Sequence, residues 1–515
     1  MKTLLSLVAA VLNGATADVD TPQTSCPPVN KPALEAALQA LTTAEAQQWN
    51  TSFSTGIAYC DDTQAGVAAG LDDIFARTPM TRDTMVPSGS VTKPWTAVAI
   101  LQMVAEGVVQ LDTPAHTVVD PGLQLACTKG QPCPPTTMLQ LWNGEPQVQR
   151  ITIKDLLGHT SGIAEYPGSL QTDTLAGKEY NPIELIGITS KNLTCAAVPC
   201  PRYYSSINYV LLGVAMTHLR RQDNWADWDQ KSIIPSSRRS LYNSTLFPKL
   251  GSCASYGNIS HQYAVNRFEN ATNLAEIDFN FYDISDKSCL NGWTMGNIVA
   301  SAMNLAQFFR DLFAPTSASA QLLPPQLVTK MTSDVGPLTN SWACPGESPY
   351  VPPFNCAHPP AECAAVLAKV EGGAMCCGCR DPPPNITQPG IPWPGCPEKC
   401  FATFAPPGSA AAACFGAIGC TSVCQIDEHC DLDYGLGMFS MNQYVKTVVP
   451  GTGDPSDAIY FGHGGQDYAS GSGGICGFNP KYKFGFCVNY NSYSGAPFQL
   501  TALFRFDLDT ESFSW

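Results

Sequence analysis

The chain has 515 residues, a formal net charge of -15 and only 14% charged residues. A hydrophobic fraction of 44% with 10% aromatics excludes a disordered protein, and the length allows a large core. The acidic balance argues against a nucleic-acid-binding protein, because sequence-independent binding needs a basic surface. The 22 cysteines favour an oxidising compartment, since such a count is unusual in a reducing one.

Residues 1 to 17 have the three regions of a secretory signal peptide. Lys2 precedes an apolar run from 4 to 12, and a small-residue cleavage pattern ends at Ala17. No other segment of the sequence has enough uninterrupted apolar residues to cross a bilayer. We therefore expect a secreted protein, or one in the lumen of a secretory organelle, with no membrane span. Asn-x-Ser/Thr sequons favour a glycoprotein; they lie at Asn50, Asn192, Asn243, Asn258, Asn270 and Asn385.

The first part of the mature chain predicts a helix, two strands and a second helix in that order. Residues 33 to 49 carry leucines at helical spacing, and 56–60 and 66–69 have the pattern of short strands. Residues 94 to 107 are apolar nearly all round, which predicts a buried helix that ends at Gly107. The following residues, 151 to 310, are mixed and mostly helical by pattern.

Residues 340 to 430 differ from the rest, because they hold 12 of the 22 cysteines, many prolines and little periodicity. This composition predicts a disulfide-stapled insertion, which either covers a cleft or contacts another protein. The irregular cysteine spacing argues against zinc, so we expect no metal site. Strand patterns return at 434 to 439 and at 473 to 490.

The cysteines outside the insertion are expected to form disulfides as well. The stretch from 475 to 488 predicts a hairpin, and a four-residue loop at 480–483 would place Cys476 opposite Cys487. Cys26 and Cys60 remain after sequence neighbours are paired. The expected pairs are Cys127–Cys133, Cys195–Cys200, Cys253–Cys289 and Cys476–Cys487.

Ser90 and Lys93 form a candidate catalytic pair just before the buried helix. Residues three apart share one helix face, and a serine hydroxyl becomes a good nucleophile only when a nearby base takes its proton. A lysine serves as that base if burial and positive neighbours lower its pKa. Taken alone, this spacing recurs by chance and favours the other interpretation, a capping serine and a surface lysine.

Ser90 and Lys93 are accompanied by further motifs, and the ordered set resembles the serine β-lactamase and penicillin-binding-protein superfamily, in its class C-like and esterase-like branch. The resemblance covers roughly 33 to 335 and 432 to 505. The motifs are Ser90-Val91-Thr92-Lys93, Glu106 to Asp112, Ile151 to Ile163 with Gly158-His159-Thr160-Ser161-Gly162, Tyr204 to Gly213, Leu246 to Gly251, Val299 to Phe308 and Gly462-His463-Gly464-Gly465.

The resemblance implies an α+β fold, in which an antiparallel sheet flanked by helices joins a mostly helical subdomain at the active site. The hydrolase domain would comprise residues 18–339 and 431–515, interrupted by the insertion at 340–430. The same resemblance implies roles for three residues: Ser90 is the acylated nucleophile, Lys93 its activating partner and Tyr204 the proton shuttle. We expect His159, in contrast, to hold a loop.

The substrate-binding residues are expected to be Ser206, His463, Gly465 and Gln466. Ser206 stands where the family more often has Asn, so we expect its shorter arm to bond Lys93, directly or through water. His463-Gly464-Gly465 stands where many relatives have Lys-Thr-Gly. We expect His463 to bind substrate or polarise Tyr204, with a charge adjustable near neutral pH. By analogy, the backbone N–H groups of Ser90 and Gln466 form the oxyanion hole.

The expected function is that of a serine hydrolase, without a cofactor, acting on a small-molecule or peptide ester, amide or lactam. An esterase-like activity is favoured. Two alternatives stay open: a non-catalytic binding protein on the same fold, and a D-peptide carboxypeptidase or β-lactamase.

Overall fold

The computed structural model describes residues 31–49, 51–59, 62–126, 136–249, 251–257, 259–266, 280–290, 292–338, 433–440, 460–467, 472–480 and 483–492, with two short strands at 506–507 and 512–513. The predicted signal peptide, the predicted insertion, Cys26, Cys60 and the Cys127–Cys133 pair lie outside these ranges.

The chain divides into two units, one of residues 1–262, 284–338 and 432–515 and the other of residues 263–283 and 339–431. The α-helices of the described residues all belong to the first unit. They are α1 (Lys31–Trp49), α2 (Thr92–Ala105), α3 (His116–Leu123), α4 (Met138–Leu141), α5 (Ile153–Leu157), α6 (Ser169–Leu175), α7 (Pro182–Gly187), α8 (Ile207–Leu219), α9 (Trp293–Gly296), α10 (Ala302–Phe313) and α11 (Pro325–Ser333).

The strands of the described residues are mostly short. They are β1 (Phe53–Ala58), β2 (Gln64–Ala69), β3 (Leu71–Asp73), β4 (Thr78–Pro79), β5 (Val86–Pro87), β6 (Thr245–Leu246), β7 (Tyr263–Asn266), β8 (Asn280–Asp283), β9 (Val299–Ala300), β10 (Gly336–Pro337), β11 (Asp433–Tyr434), β12 (Phe439–Ser440), β13 (Phe461–Gln466), β14 (Gly473–Asn479), β15 (Phe484–Tyr490), β16 (Phe506–Asp507) and β17 (Ser512–Phe513). In the second unit, β7 and β8 pair antiparallel.

An eight-stranded antiparallel sheet forms the centre of the first unit, in the order β10-β11-β12-β13-β14-β15-β1-β2. One face packs on α1, where Leu34 and Leu38 join a core with Ile57. The other face packs on α10 at very short range. A Cβ on Gly56 would lie 2.4 Å from the backbone nitrogen of Met303, so this approach requires glycine. The predicted antiparallel sheet flanked by helices is therefore confirmed.

The helical part packs around α8, whose residues from Ile207 to Thr217 are all buried. A helix that is apolar all round is typical of a core position. The predicted helix before Gly107 is confirmed as α2, which is buried from Thr92 to Leu101. Gly107 has a φ of 72°, the left-handed conformation that ends many helices.

The segment predicted as one strand at 434–439 is a hairpin instead. Tyr434 in β11 pairs with Phe439 in β12, and the Gly435 N–H donates to the Met438 carbonyl at 2.8 Å. Gly437, with a φ of 91°, supplies the left-handed residue that the turn needs. Glycines that alternate with apolar residues are typical of a strand, but in this segment they form a turn.

Three predicted disulfides are confirmed: Cys195–Cys200, Cys253–Cys289 and Cys476–Cys487. In the last case the register is the predicted one, because Asn479 pairs with Phe484 and leaves a four-residue loop. The bond therefore links directly opposite residues of β14 and β15.

Candidate active site

Ser90 lies in a 3₁₀ turn, Gly89–Val91, that leads into α2. Gly89 has a φ of 52°, and a Cβ at this position would lie 2.1 Å from the Gln466 carbonyl oxygen. The turn therefore accepts only glycine before Ser90. Thr92 locks the turn, since its hydroxyl donates to the Gly89 carbonyl at 2.7 Å. Ser90 itself stays partly exposed, which leaves its hydroxyl accessible for the predicted role of nucleophile.

Lys93 is fully buried directly beneath Ser90. Its Nζ lies 2.8 Å from Ser90 Oγ and donates to the Met295 carbonyl at 3.0 Å. Burial lowers the pKa of Lys93 to about 7, and the charge of Glu165 opposes that shift. Positive neighbours were expected to lower this pKa as well. The charged neighbour is a carboxylate instead, so desolvation alone makes Lys93 a base near neutral pH.

Tyr204 lies in a cage of rings beside Lys93. The Lys93 Nζ is 4.9 Å from the centroid of the Tyr204 ring, and the tyrosine is partly exposed. Four rings surround it, at centroid distances of 4.5 Å for His159, 6.0 Å for Tyr434, 6.2 Å for Phe439 and 6.2 Å for His463. The structure thus brings the predicted proton shuttle next to the predicted base.

His159 holds the backbone on both sides of Tyr204. Its carbonyl accepts from the Tyr203 N–H at 2.8 Å, and its Nδ1 accepts from the Ser205 N–H at 3.1 Å. A φ of 60° places the backbone of His159 in the left-handed conformation, which directs both acceptors toward residues 203–205. Burial lowers the pKa of His159 well below its ordinary value, so the ring is neutral. This is the loop-holding arrangement expected from the sequence.

His463 is buried on β13, and both of its ring nitrogens have partners. Its Nδ1 donates to the Gly464 carbonyl, which leaves Nε2 to accept from the Tyr434 hydroxyl at 3.3 Å. Burial lowers the pKa of His463 well below its ordinary value, with a smaller effect from the charge of Lys93. The expectation of an adjustable charge near neutral pH is therefore wrong, because a buried imidazole beside an ammonium group stays neutral.

Ser206 contacts Glu165, a residue that the sequence analysis did not single out. The Ser206 N–H donates to Glu165 Oε2 at 2.7 Å, and the serine hydroxyl also bonds this carboxylate. The bonds of the Lys93 ammonium go to Ser90 and Met295 instead. The expected direct bond between Ser206 and Lys93 is therefore wrong, since the short side chain is already engaged by Glu165.

Gly465 brings β13 into contact with the Ser90 turn. A Cβ on Gly465 would lie 2.1 Å from the Ser88 carbonyl oxygen and 2.5 Å from the Ser90 nitrogen. The neighbouring Gln466 touches Gly89 from the same strand. The backbone of residues 465 and 466 thus flanks the position where a substrate carbonyl would meet Ser90.

This arrangement can be compared with known proteins. A family model described as Beta-lactamase matches residues 38–340. The chain belongs to the Beta-lactamase family. The D-amino acid amidase from Ochrobactrum anthropi SV3, complexed with L-phenylalanine amide, shares 15% identity at a TM-score of 0.54, over 89% of this chain and 91% of its own.

Two other solved structures have the same fold. A D-stereospecific amidohydrolase from Streptomyces sp. shares 16% identity at a TM-score of 0.52, over 89% of this chain and 94% of its own. The octameric penicillin-binding protein homologue from Pyrococcus abyssi shares 17% identity at a TM-score of 0.52, over 91% and 77%. At these identities the likeness concerns the fold.

Two residues of this Beta-lactamase-family site escaped sequence analysis. Glu165 follows the motif at 151–163 without any spacing that marks it, and Tyr434 looked like an ordinary strand residue. Tyr434 is fully buried and joins His463 to Tyr209, whose hydroxyl lies 3.2 Å away. Glu165 lies two residues beyond that motif, and no signal in the sequence distinguishes it from Asp155, the acid within the motif.

The described parts of this family member contain no cluster of His, Cys, Asp or Glu that could hold a metal ion. Within the same residues, no helix is long and apolar enough to span a membrane.

The Gly465→Ala variant is expected to lose about 100-fold in kcat/KM, because its methyl group forces β13 away from Ser90 and a shift of about 1 Å has that effect. Gly464→Ala is the matched control, since its Cβ would meet only Ile475, at an ordinary 3.9 Å. Steady-state hydrolysis of a chromogenic ester measures both. Equal activity of the two variants would show that the approach of β13 to Ser90 has no role in catalysis.

Proposed function

We propose that this protein is a secreted serine hydrolase that works through an acyl-enzyme at Ser90. The observation that carries the proposal is the 2.8 Å contact between Ser90 Oγ and a fully buried Lys93. A lysine with a pKa of about 7 is a competent base at neutral pH, whereas an ordinary lysine is not.

The chemistry has two halves. In the first, neutral Lys93 takes the proton from Ser90, Oγ bonds to the substrate carbonyl carbon, and the backbone N–H groups of Ser90 and Gln466 stabilise the oxyanion. Tyr204 relays the proton to the leaving alcohol or amine as the substrate bond breaks. In the second, water attacks the acyl-Ser90 ester and gives up a proton by the same route, which releases the acid and restores the serine.

The charges of the site favour substrates without a free carboxylate. Among the described charged groups around the site, Lys93 is buried, Arg202 bonds the Gly158 carbonyl and pairs with Asp334, and Glu165, which is held by Ser206, is an acid. His463, which stands where many relatives have a lysine, is neutral. Penicillins and D-peptides carry a carboxylate that needs a cation. We therefore favour esters over lactams and peptides.

Amino acid amides are the second candidate, because they too lack a free carboxylate. Solved structures with this fold include D-amino acid amidases. Both candidates would acylate Ser90, the ester with loss of an alcohol and the amide with loss of ammonia. The alternative of a non-catalytic binding protein is disfavoured by the contact between Ser90 and Lys93.

A panel of substrates tests the proposal. Initial rates are measured with p-nitrophenyl butyrate, D- and L-phenylalanine amide and benzylpenicillin, each with the Ser90→Ala variant as blank. We expect Ser90-dependent turnover of the ester, and a benzylpenicillin kcat/KM at least about 100-fold lower, the equivalent of one unmatched charge. Preferential turnover of penicillin would overturn the ester assignment, and no turnover of any compound would favour the binding protein.

A further inference from the structure

Tyr204 and Phe439 form the accessible part of the ring cage in the active site. Their ring centroids are 6.2 Å apart, and their planes differ by only 6°. Both residues are partly exposed, whereas the other three rings of the cage, those of His159, Tyr434 and His463, are buried. Within the described part of the chain, a molecule that reaches Tyr204 therefore meets Phe439 as the neighbouring accessible ring.

Phe439 is held in place by its strand and by two buried rings. On β12 it pairs with Gly462 of β13 on one side and with Tyr434 of β11 on the other. Its ring centroid lies 4.9 Å from that of Tyr434, edge to face, and 4.5 Å from that of His463. These contacts leave the ring little freedom to turn, so it forms a preformed wall of the site.

The three buried rings of the cage carry no charge. Burial lowers the pKa of His159 and of His463 well below their ordinary values, and it raises the pKa of Tyr434 well above its ordinary value. The Tyr434 hydroxyl already lies 3.2 Å from that of Tyr209 and 3.3 Å from His463 Nε2. A charged group placed here would lose water without gaining a partner, whereas an apolar group is stabilised by leaving water.

The proposed chemistry places the leaving group on the same side of the site. A general acid must lie within hydrogen-bond reach of the atom that it protonates. In the proposed mechanism, Tyr204 passes the proton to the leaving atom while the carbonyl carbon is bonded to Ser90. The substituent on the leaving atom therefore extends along the accessible surface next to Tyr204, which is the ring of Phe439.

We propose that Phe439 is a specificity-determining residue that contacts the leaving group, and that the substrates are esters of an apolar, aromatic alcohol. The nearly parallel rings of Tyr204 and Phe439 suit a flat group, because such a group lies across both with little loss of contact. The inference rests on the proposed acyl-enzyme at Ser90 and adds to it the class of alcohol that is released.

Two isomeric esters, benzyl acetate and methyl phenylacetate, test the inference. Both are uncharged and have the same composition, but the phenyl ring belongs to the alcohol in the first and to the acid in the second. We expect Phe439→Ala to lower kcat/KM for benzyl acetate about tenfold more than for methyl phenylacetate, the loss of one good aromatic contact. Phe439→Leu, which keeps an apolar side chain, should show about a threefold difference.

Phe75→Ala is the matched control, because it removes a phenylalanine that is 67% exposed and should leave the ratio of the two kcat/KM values unchanged. The ratio is taken within each preparation, so a partly unfolded variant does not change it. Equal losses for the two esters would overturn the inference, since Phe439 would then only support Tyr204. A larger loss for methyl phenylacetate would place Phe439 on the acyl side and would overturn it as well.

The wild-type protein separates a failure of this inference from a failure of the proposed function. Hydrolysis of neither ester, with fluorophosphonate labelling of Ser90 intact, would overturn the inference alone. Hydrolysis of neither ester together with an absence of labelling at Ser90 would overturn the proposed function.

Discussion

Replacing Ser90 with alanine is expected to lower kcat/KM for a chromogenic ester by about 10⁴- to 10⁶-fold, because in the proposed mechanism Ser90 alone forms the acyl bond. Ser90 is partly exposed, so the loss of its hydroxyl and of the contact with Lys93 should leave the fold intact. Steady-state rates and thermal unfolding measured together separate lost chemistry from lost structure.

The matched control for this variant is Ser237→Ala. Ser237 is an exposed serine in a surface 3₁₀ turn, and its replacement should leave kcat/KM unchanged. A Ser90→Ala enzyme that keeps a tenth of the wild-type activity would contradict the assignment of the nucleophile.

Lys93→Met is expected to reduce kcat/KM by about 10²- to 10⁴-fold, the usual contribution of a general base. Methionine fills nearly the same volume without a charge, so the packing beneath Ser90 is kept. The wild-type rate should rise with pH through a midpoint near 7, where Lys93 loses its proton, and the variant should lack this limb. Lys330→Met, at an exposed position of α11, serves as the control.

Although Lys93→Met is expected to lower activity, it is expected to stabilise the fold below pH 7. Between about 7 and the ordinary value of 10.5, the unfolded chain binds a proton at Lys93 that the folded chain does not. Wild-type stability should therefore rise with pH across this window, by up to about 1.4 kcal/mol per pH unit, and Lys93→Met should lack that rise. Below pH 7 the variant should be the more stable protein. A lower melting temperature than wild type at pH 6 would indicate that Lys93 has a structural role.

Local features of the fold were predictable because the deciding residues are neighbours in sequence. The Cys476–Cys487 bond followed from the length of one hairpin loop, and the end of α2 followed from Gly107. The prediction of a single strand at 434–439, where the turn at 435–438 lies, was wrong for a related reason. Glycines alternating with apolar residues fit a strand and a tight turn equally well, and only the positive φ of Gly437 separates the two.

The electrostatics of the site were not predictable, because they depend on contacts between distant segments. His463 stands where many relatives have a lysine, but burial lowers its pKa, with a smaller effect from the charge of Lys93 on α2, a distant segment of the chain. The charge acting on Lys93 comes from Glu165 on a separate loop. A motif supplies the residue types, whereas their pKa values depend on the packing around them.

The position of the predicted insertion relates to this packing. Gly336 in β10 pairs with Tyr434 in β11, so the strands that precede and follow residues 340–430 are neighbours in the sheet. Tyr434 in turn contacts His159 and His463, with ring centroids at 4.5 Å and 5.7 Å. Because the Tyr434 ring packs among the rings around Tyr204, strand β11, which follows the predicted insertion, belongs to the site. The extent of the insertion itself stays a prediction.

The central claim is that Ser90 is the acylated nucleophile, and peptide mapping after covalent labelling tests it most directly. The purified protein is treated with a fluorophosphonate at pH 8, where Lys93 is neutral, then digested and analysed by mass spectrometry. The account predicts one adduct per chain, on Ser90, and none in Ser90→Ala. An adduct on another residue, or equal labelling of the Ser90→Ala variant, would contradict it.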